Sequence, residues 1–158
     1  MIPILIFIHV LLCCLAIGFG SLALLGVLRK RFIVRQTIWF LRCSLGSNVA
    51  ALFLSLHQLI PAQKVAMVSV YAAGVVILAR CAFRLAGAWR PTFAFALTVV
   101  LYLNILALSI QMPAARANTW FIFQAALFTA ALSIGTIAAR RFTERTEALA
   151  LVAAQLRT

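Results

Sequence analysis

The chain has 158 residues, of which 66% are hydrophobic and only 10% are charged, and its mean hydropathy is +1.13. Soluble domains carry about 25% charged residues, so this chain lacks the polar side chains that would cover a water-soluble globule. Disordered, collagen-like and disulfide-stabilised chains are excluded by the same composition. The sequence therefore predicts an integral membrane protein with little mass outside the bilayer.

Five apolar stretches are long enough to cross a bilayer as helices, which takes about 20 residues each. In chain order, the predicted spans are 2–28, 37–60, 65–85, 91–112 and 119–139. Pro61 closes the second span, and Pro91 opens the fourth, where a first-turn proline is well tolerated. The stretches are too long and too uniform for strands, so the expected fold is an all-α membrane bundle of five helices, residues 1–139.

The basic residues predict the orientation of the bundle. With the N-terminus outside, the cytoplasmic side receives 12 of the 14 Lys and Arg residues, and the outer side receives only Lys64 and Arg116. This bias follows the positive-inside rule. The C-terminus is then cytoplasmic, and residues 140–158 form a tail whose apolar residues recur at helical spacing. That tail is either an amphipathic helix, lying on the inner surface or continuing the fifth span, or a frayed end.

The distribution of charge and the lack of acidic residues in the spans argue against several functions. The net charge of +12 does not indicate nucleic-acid binding, because the basic residues flank apolar stretches instead of forming a soluble basic face. The two acids are Glu144 and Glu147, so no span contains a carboxylate for acid–base catalysis, for a hard cation or for proton-coupled transport. An enzyme is therefore not favoured, although a transporter of a neutral solute needs no carboxylate.

Two histidines are placed at matching depths. His9 and His57 each lie 24 residues from Ile33, the centre of the first connection, so an antiparallel hairpin puts both imidazoles in the outer leaflet. Asn104 and Gln111 are seven residues apart on the fourth helix and share a face. Gln124 lies one to two turns into the fifth helix. The predicted site is therefore a polar cluster near the outer surface.

Two interpretations of this cluster remain open. The polar groups could hydrogen-bond across helices, each bond contributing about 0.6 kcal/mol. Alternatively, the helices could enclose a pocket in which His9 and His57 ligate a haem b iron or a soft metal, or in which the carboxamides bind a quinone. Zinc is less favoured, because only two good ligands are visible.

Three arginines lie near the cytoplasmic ends of the second and third spans, namely Arg42, Arg80 and Arg84. No acid is placed to pair with them inside the bilayer. Their side chains could extend to the interface in the ordinary way. The more specific hypothesis is a basic notch that binds anionic lipid headgroups.

Several short motifs resemble a family of small bacterial integral membrane proteins to which no activity is assigned. They are Leu56-His57-Gln58-Leu59-Ile60-Pro61, Trp89-Arg90, Tyr102-Leu103-Asn104 with Gln111, and Ala139-Arg140-Arg141-Phe142. Members have Gly where this chain has Gln58, and a longer proline-rich loop before the fifth helix. The resemblance implies a bacterial inner-membrane location and no mechanism.

The sequence thus supports two main hypotheses. One is a membrane protein that binds a small cofactor or ligand in the outer-leaflet cluster. The other is a structural or accessory subunit that contacts another membrane protein. A transporter of a neutral solute is a third.

Overall fold

All the regular secondary structure in the residues that the structure describes is helical. The computed structural model describes residues 2–29, 34–54, 61–110 and 118–155. The helices are α1 (Ile2–Leu28), α2 (Val34–Leu54), α3 (Pro61–Cys81), α4 (Trp89–Ile110) and α5 (Asn118–Gln155). No strand occurs in these ranges.

Four of these helices are long and apolar enough to cross a membrane. The qualifying segments are Ile4–Leu28, Gln63–Cys81, Trp89–Ile110 and Trp120–Thr143. The described part of α2 does not qualify; it carries Arg35 and Arg42 together with several polar residues, which lower its hydropathy. The predicted second span reached residue 60, but residues 55–60 lie outside the described part of the chain.

Helix boundaries differ from the predicted spans in ways that proline and glycine chemistry explains. α3 begins at Pro61, four residues before the predicted third span, because a first-turn proline loses no helical hydrogen bond. α3 ends at Cys81, four residues before the predicted boundary. The chain then turns through Arg84, Leu85 and Gly87, which all have positive φ. α5 continues without a break through Arg140-Arg141 to Gln155.

The helices form a closed arrangement in which α4 packs against α1, α3 and α5, while α1 also contacts α2 and α5, and α2 contacts α3. In α4, 56% of the span is buried, compared with 17% in α5. The core at the junction of α1, α2 and α4 includes Phe40, Leu97 and Leu101. Gly20 lies at this junction, where a Cβ atom would stand 2.7 Å from the Phe40 ring and 2.9 Å from Leu101.

Candidate functional site

A buried polar network lies between α1, α2 and α4. The His9 side chain is 1% exposed, and its Nδ1 atom lies 2.8 Å from the carbonyl oxygen of Ser47 on α2. A carbonyl can only accept, so Nδ1 carries the hydrogen and donates it. In the neutral ring, Nε2 is then the acceptor, and it faces the Cys13 thiol at 3.6 Å. Both ring nitrogens are therefore engaged.

Asn104 extends the network from α2 to α4. Its Nδ2 atom donates to Ser44 Oγ and to the carbonyl oxygen of Val100, both at 2.8 Å. The Ser47 hydroxyl lies 3.4 Å from Asn104 Oδ1 and 3.0 Å from the Ser44 carbonyl oxygen, and it can donate to either. The Asn104 side chain is 1% exposed, so these bonds occur away from solvent, and both hydrogens of its amide have an acceptor.

Two more interhelical pairs hold the outer helices. Asn48 Nδ2 on α2 donates to Ser69 Oγ on α3 at 3.0 Å. Gln124 Nε2 on α5 donates to Ser109 Oγ on α4 at 2.7 Å. Among the described residues, three polar side-chain atoms are buried without a hydrogen-bond partner, namely Gln36 Oε1 on α2 and Trp120 Nε1 and Gln124 Oε1 on α5. The polar framework is thus incompletely satisfied on α2 as well as on α5.

The structure brings some of the predicted residues together and separates others. His9 and Asn104 both contact Ser47, whereas Gln124 bonds separately to Ser109. His57 and Gln111 lie outside the described residues, so the pairing of the two histidines stays a prediction. The serines that complete the network, Ser44 and Ser47, were missed as bonding partners by the sequence interpretation. Their spacing of three residues on one face of α2, beside Asn48, is the signal that indicates them.

One small cavity lies between three helices that carry predicted site residues. A cavity of about 100 Å³ lies between α1, α4 and α5, and its lining is almost wholly apolar, including Leu24, Leu101 and Leu127. His9 does not line it. Small-molecule pockets usually measure about 300–1,000 Å³. Within the described ranges, no group of three or more His, Cys, Asp or Glu side chains is placed to hold a metal ion.

The predicted arginines fall into two groups. Arg80 and Arg84 line one open indentation of about 370 Å³, together with Cys81 and Leu85. Arg42 is not part of that lining, and its guanidinium lies 5.5 Å from the centre of the Trp39 ring. A cation over an aromatic face is attracted by the ring quadrupole, so Arg42 has a contact on its own helix.

Comparison with protein-family models, curated proteins and solved structures found no match to this chain.

Proposed function

We propose that this chain is a multi-pass protein of the bacterial inner membrane that serves as a structural or accessory subunit of a membrane complex. The observation that carries the proposal is the use of the buried polar side chains. His9, Ser44, Ser47 and Asn104 bond to one another across three helices. Groups used in this way stabilise one arrangement of the bundle and leave few polar atoms for a substrate.

The proposed topology has five spans with the N-terminus outside. The described part of α2 is too polar to be identified as a membrane span from its own hydropathy. It nevertheless packs between α1 and α3, which are both long and apolar enough to cross a membrane. A helix packed along two membrane helices shares their environment, and its Ser44, Ser47 and Asn48 side chains are buried against protein. The 12-to-2 distribution of basic residues supports the orientation.

Native electrophoresis of the chromosomally tagged protein, extracted in mild detergent, tests the accessory role. We expect a discrete band well above the 17.3 kDa chain and its detergent, with the same partner membrane protein in repeated preparations. Deletion of that partner should lower the amount of this chain. A band at the mass of the free chain, unchanged by solubilisation conditions, would contradict the proposal.

Cofactor binding is the second candidate, and one observation favours it. Histidines that ligate metals usually donate their other ring N–H to a carbonyl or carboxylate, and His9 Nδ1 makes such a bond to Ser47. A haem b iron or a soft metal at Nε2 would have to replace the Cys13 contact. A quinone would instead use the carboxamides.

An absorption spectrum of the purified protein separates the two candidates. A cofactor-binding protein shows a Soret band that disappears in His9→Ala. An accessory subunit shows no visible absorption, and His9→Ala lowers the unfolding temperature through loss of the Ser47 bond. Lipids extracted from the purified protein would support quinone binding if they contained a redox-active quinone in constant ratio to the protein.

A further inference from the structure

The turn between α3 and α4 lies where two candidate membrane spans end. Gln63–Cys81 and Trp89–Ile110 flank it, so residues 82–88 occupy the depth of the headgroups on whichever side of the bilayer they face. Trp89 stacks on Phe83 in this turn, with ring centroids 3.8 Å apart and planes at 5°. Tryptophan is enriched at that depth, which agrees with the placement.

An indentation opens at this turn, and two guanidinium groups line it. Arg80 in the last turn of α3 and Arg84 just beyond it form the walls together with Cys81 and Leu85, enclosing about 370 Å³. Arg84 is exposed and Arg80 is half-buried. Two arginines on one concavity present several N–H donors to a tetrahedral anion, the geometry in which arginine binds phosphate.

The backbone holds the indentation in a fixed shape. Arg84 and Leu85 have φ values of 47° and 56°, a left-handed conformation that non-glycine residues adopt at an energetic cost. The Leu85 N–H donates to the Ala79 carbonyl oxygen at 2.9 Å, and Arg90 Nε donates to the Leu85 carbonyl oxygen at 2.5 Å. These bonds tie the turn to both helices, and strained backbone of this kind concentrates at binding sites.

The charge of the chain favours the attraction of external anions. Fourteen Lys and Arg residues stand against two acids, Glu144 and Glu147, so the protein carries a net charge of +12. At headgroup depth, the phosphates of anionic lipids are the most concentrated anions, and each arginine there adds to their attraction. A water-soluble phosphate offers the same chemistry at far lower local concentration.

We propose that the indentation at Arg80 and Arg84 binds the phosphate of an anionic phospholipid. The inference rests on the membrane location proposed above. It assigns the binding to the α3–α4 turn alone and leaves Arg42 out of the site, because Arg42 does not line the indentation.

Quenching of Trp89 fluorescence tests the site directly. A variant with Trp39→Phe and Trp120→Phe keeps Trp89 as the single tryptophan, and it is reconstituted in phosphatidylcholine vesicles containing brominated phosphatidylglycerol or brominated phosphatidylcholine. We expect stronger quenching by brominated phosphatidylglycerol. Arg80→Gln with Arg84→Asn should reduce that preference by about fivefold per arginine. Asparagine tolerates the left-handed conformation at position 84, so this pair preserves the fold.

A matched control removes the same charge elsewhere. Arg42→Gln with Arg141→Gln deletes two exposed arginines that do not line the indentation, and the preference should persist. An equal fall in both double variants, or no fall in the first, would overturn the site. Loss of the preference on adding inorganic phosphate would overturn the lipid assignment in favour of a free anion. Failure of the protein to float with the vesicles would instead refute the membrane location.

Discussion

Asn104 is the residue on which the buried polar network depends most. Its carboxamide contacts Ser44 and Ser47 on α2 and the carbonyl oxygen of Val100 in its own helix. An apolar side chain at position 104 would remove the hydrogen-bonding contacts that both serines make with the carboxamide. Gln124 differs, because within the described part of the chain it makes one interhelical bond and its buried oxygen has no partner.

Asn104→Leu should therefore destabilise the bundle more than Gln124→Leu. We expect a loss of about 1–2 kcal/mol in the free energy of unfolding for Asn104→Leu, because two interhelical bonds break. The loss for Gln124→Leu should be under about 1 kcal/mol, because the unpartnered oxygen is removed with the bond. Reversible unfolding in mixed micelles, followed by circular dichroism, measures both. Equal losses would contradict the unequal roles assigned to the two amides.

The sequence predicts which polar residues are buried better than it predicts their partners. Asn104 and His9 were expected in one outer-leaflet cluster, and Ser47 joins them because helix rotation brings all three to one interface. Rotation about the helix axis is set by packing of apolar neighbours, which depth counting does not include. Gln124 was expected in the same cluster, but it faces Ser109 for this reason.

Phe40 of α2 packs against α1 at a position where α1 lacks a side chain. A Cβ atom on Gly20 would stand 2.7 Å from one atom of the Phe40 ring and 2.9 Å from Leu101. Phe40 is fully buried, so its ring has no room to withdraw. Gly18, two residues earlier, has nothing within 4 Å of its Cβ position.

Gly20→Ala should cost about 1–3 kcal/mol of unfolding free energy, since overpacking a filled interface forces neighbouring side chains from their rotamers. Gly18→Ala provides the control, because it makes the same chemical change on the exposed face and should leave stability unchanged or slightly higher. Thermal unfolding of both purified variants gives the comparison. Equal unfolding temperatures for the two variants would contradict the close packing of Phe40 against Gly20.

The backbone conformation of the α3–α4 turn predicts how a substitution at Arg84 changes the unfolding temperature. Arg84 has a left-handed backbone conformation, which asparagine adopts at a lower energetic cost than arginine does. Arg84→Asn should therefore keep the unfolding temperature or raise it. The parallel change Arg141→Asn, inside the continuous helix α5, should lower it, because asparagine is a poorer helix former than arginine. A marked loss of stability in Arg84→Asn alone would show that the Arg84 side chain supports the fold.

For the whole molecule, the charge distribution predicts sidedness. A reporter fused after Thr158 should be active in the cytoplasm. A cysteine at Ala62, in a background without the four native cysteines, should react with an impermeant reagent from outside. A cysteine replacing Ala86, in the α3–α4 turn, should be protected until the membrane is permeabilised. Labelling of Ala62→Cys only after permeabilisation would reverse the orientation.

Helix number and order follow from apolar length and from the basic and proline residues between the stretches. α1 covers Ile2–Leu28, an unbroken apolar run that contains no competing signal. The ends of α3 could not be placed from hydropathy, since Ala82–Ala88 is as apolar as a helix but turns through left-handed residues. Which helix occupies the centre depends on packing between distant parts of the chain.

The central place of α4 has a consequence for biosynthesis. Asn104 bonds to a serine 60 residues earlier, and α4 packs on helices made before and after it. When the first three helices have left the ribosome, Ser44 and Ser47 still lack this amide, and the face of α1 that will contact α4 is open to lipid or to insertion factors. We therefore expect the nascent protein to remain a partly assembled hairpin and third helix until α4 is made, and a pause in translation before Trp89 should prolong the period in which quality-control proteases can recognise it.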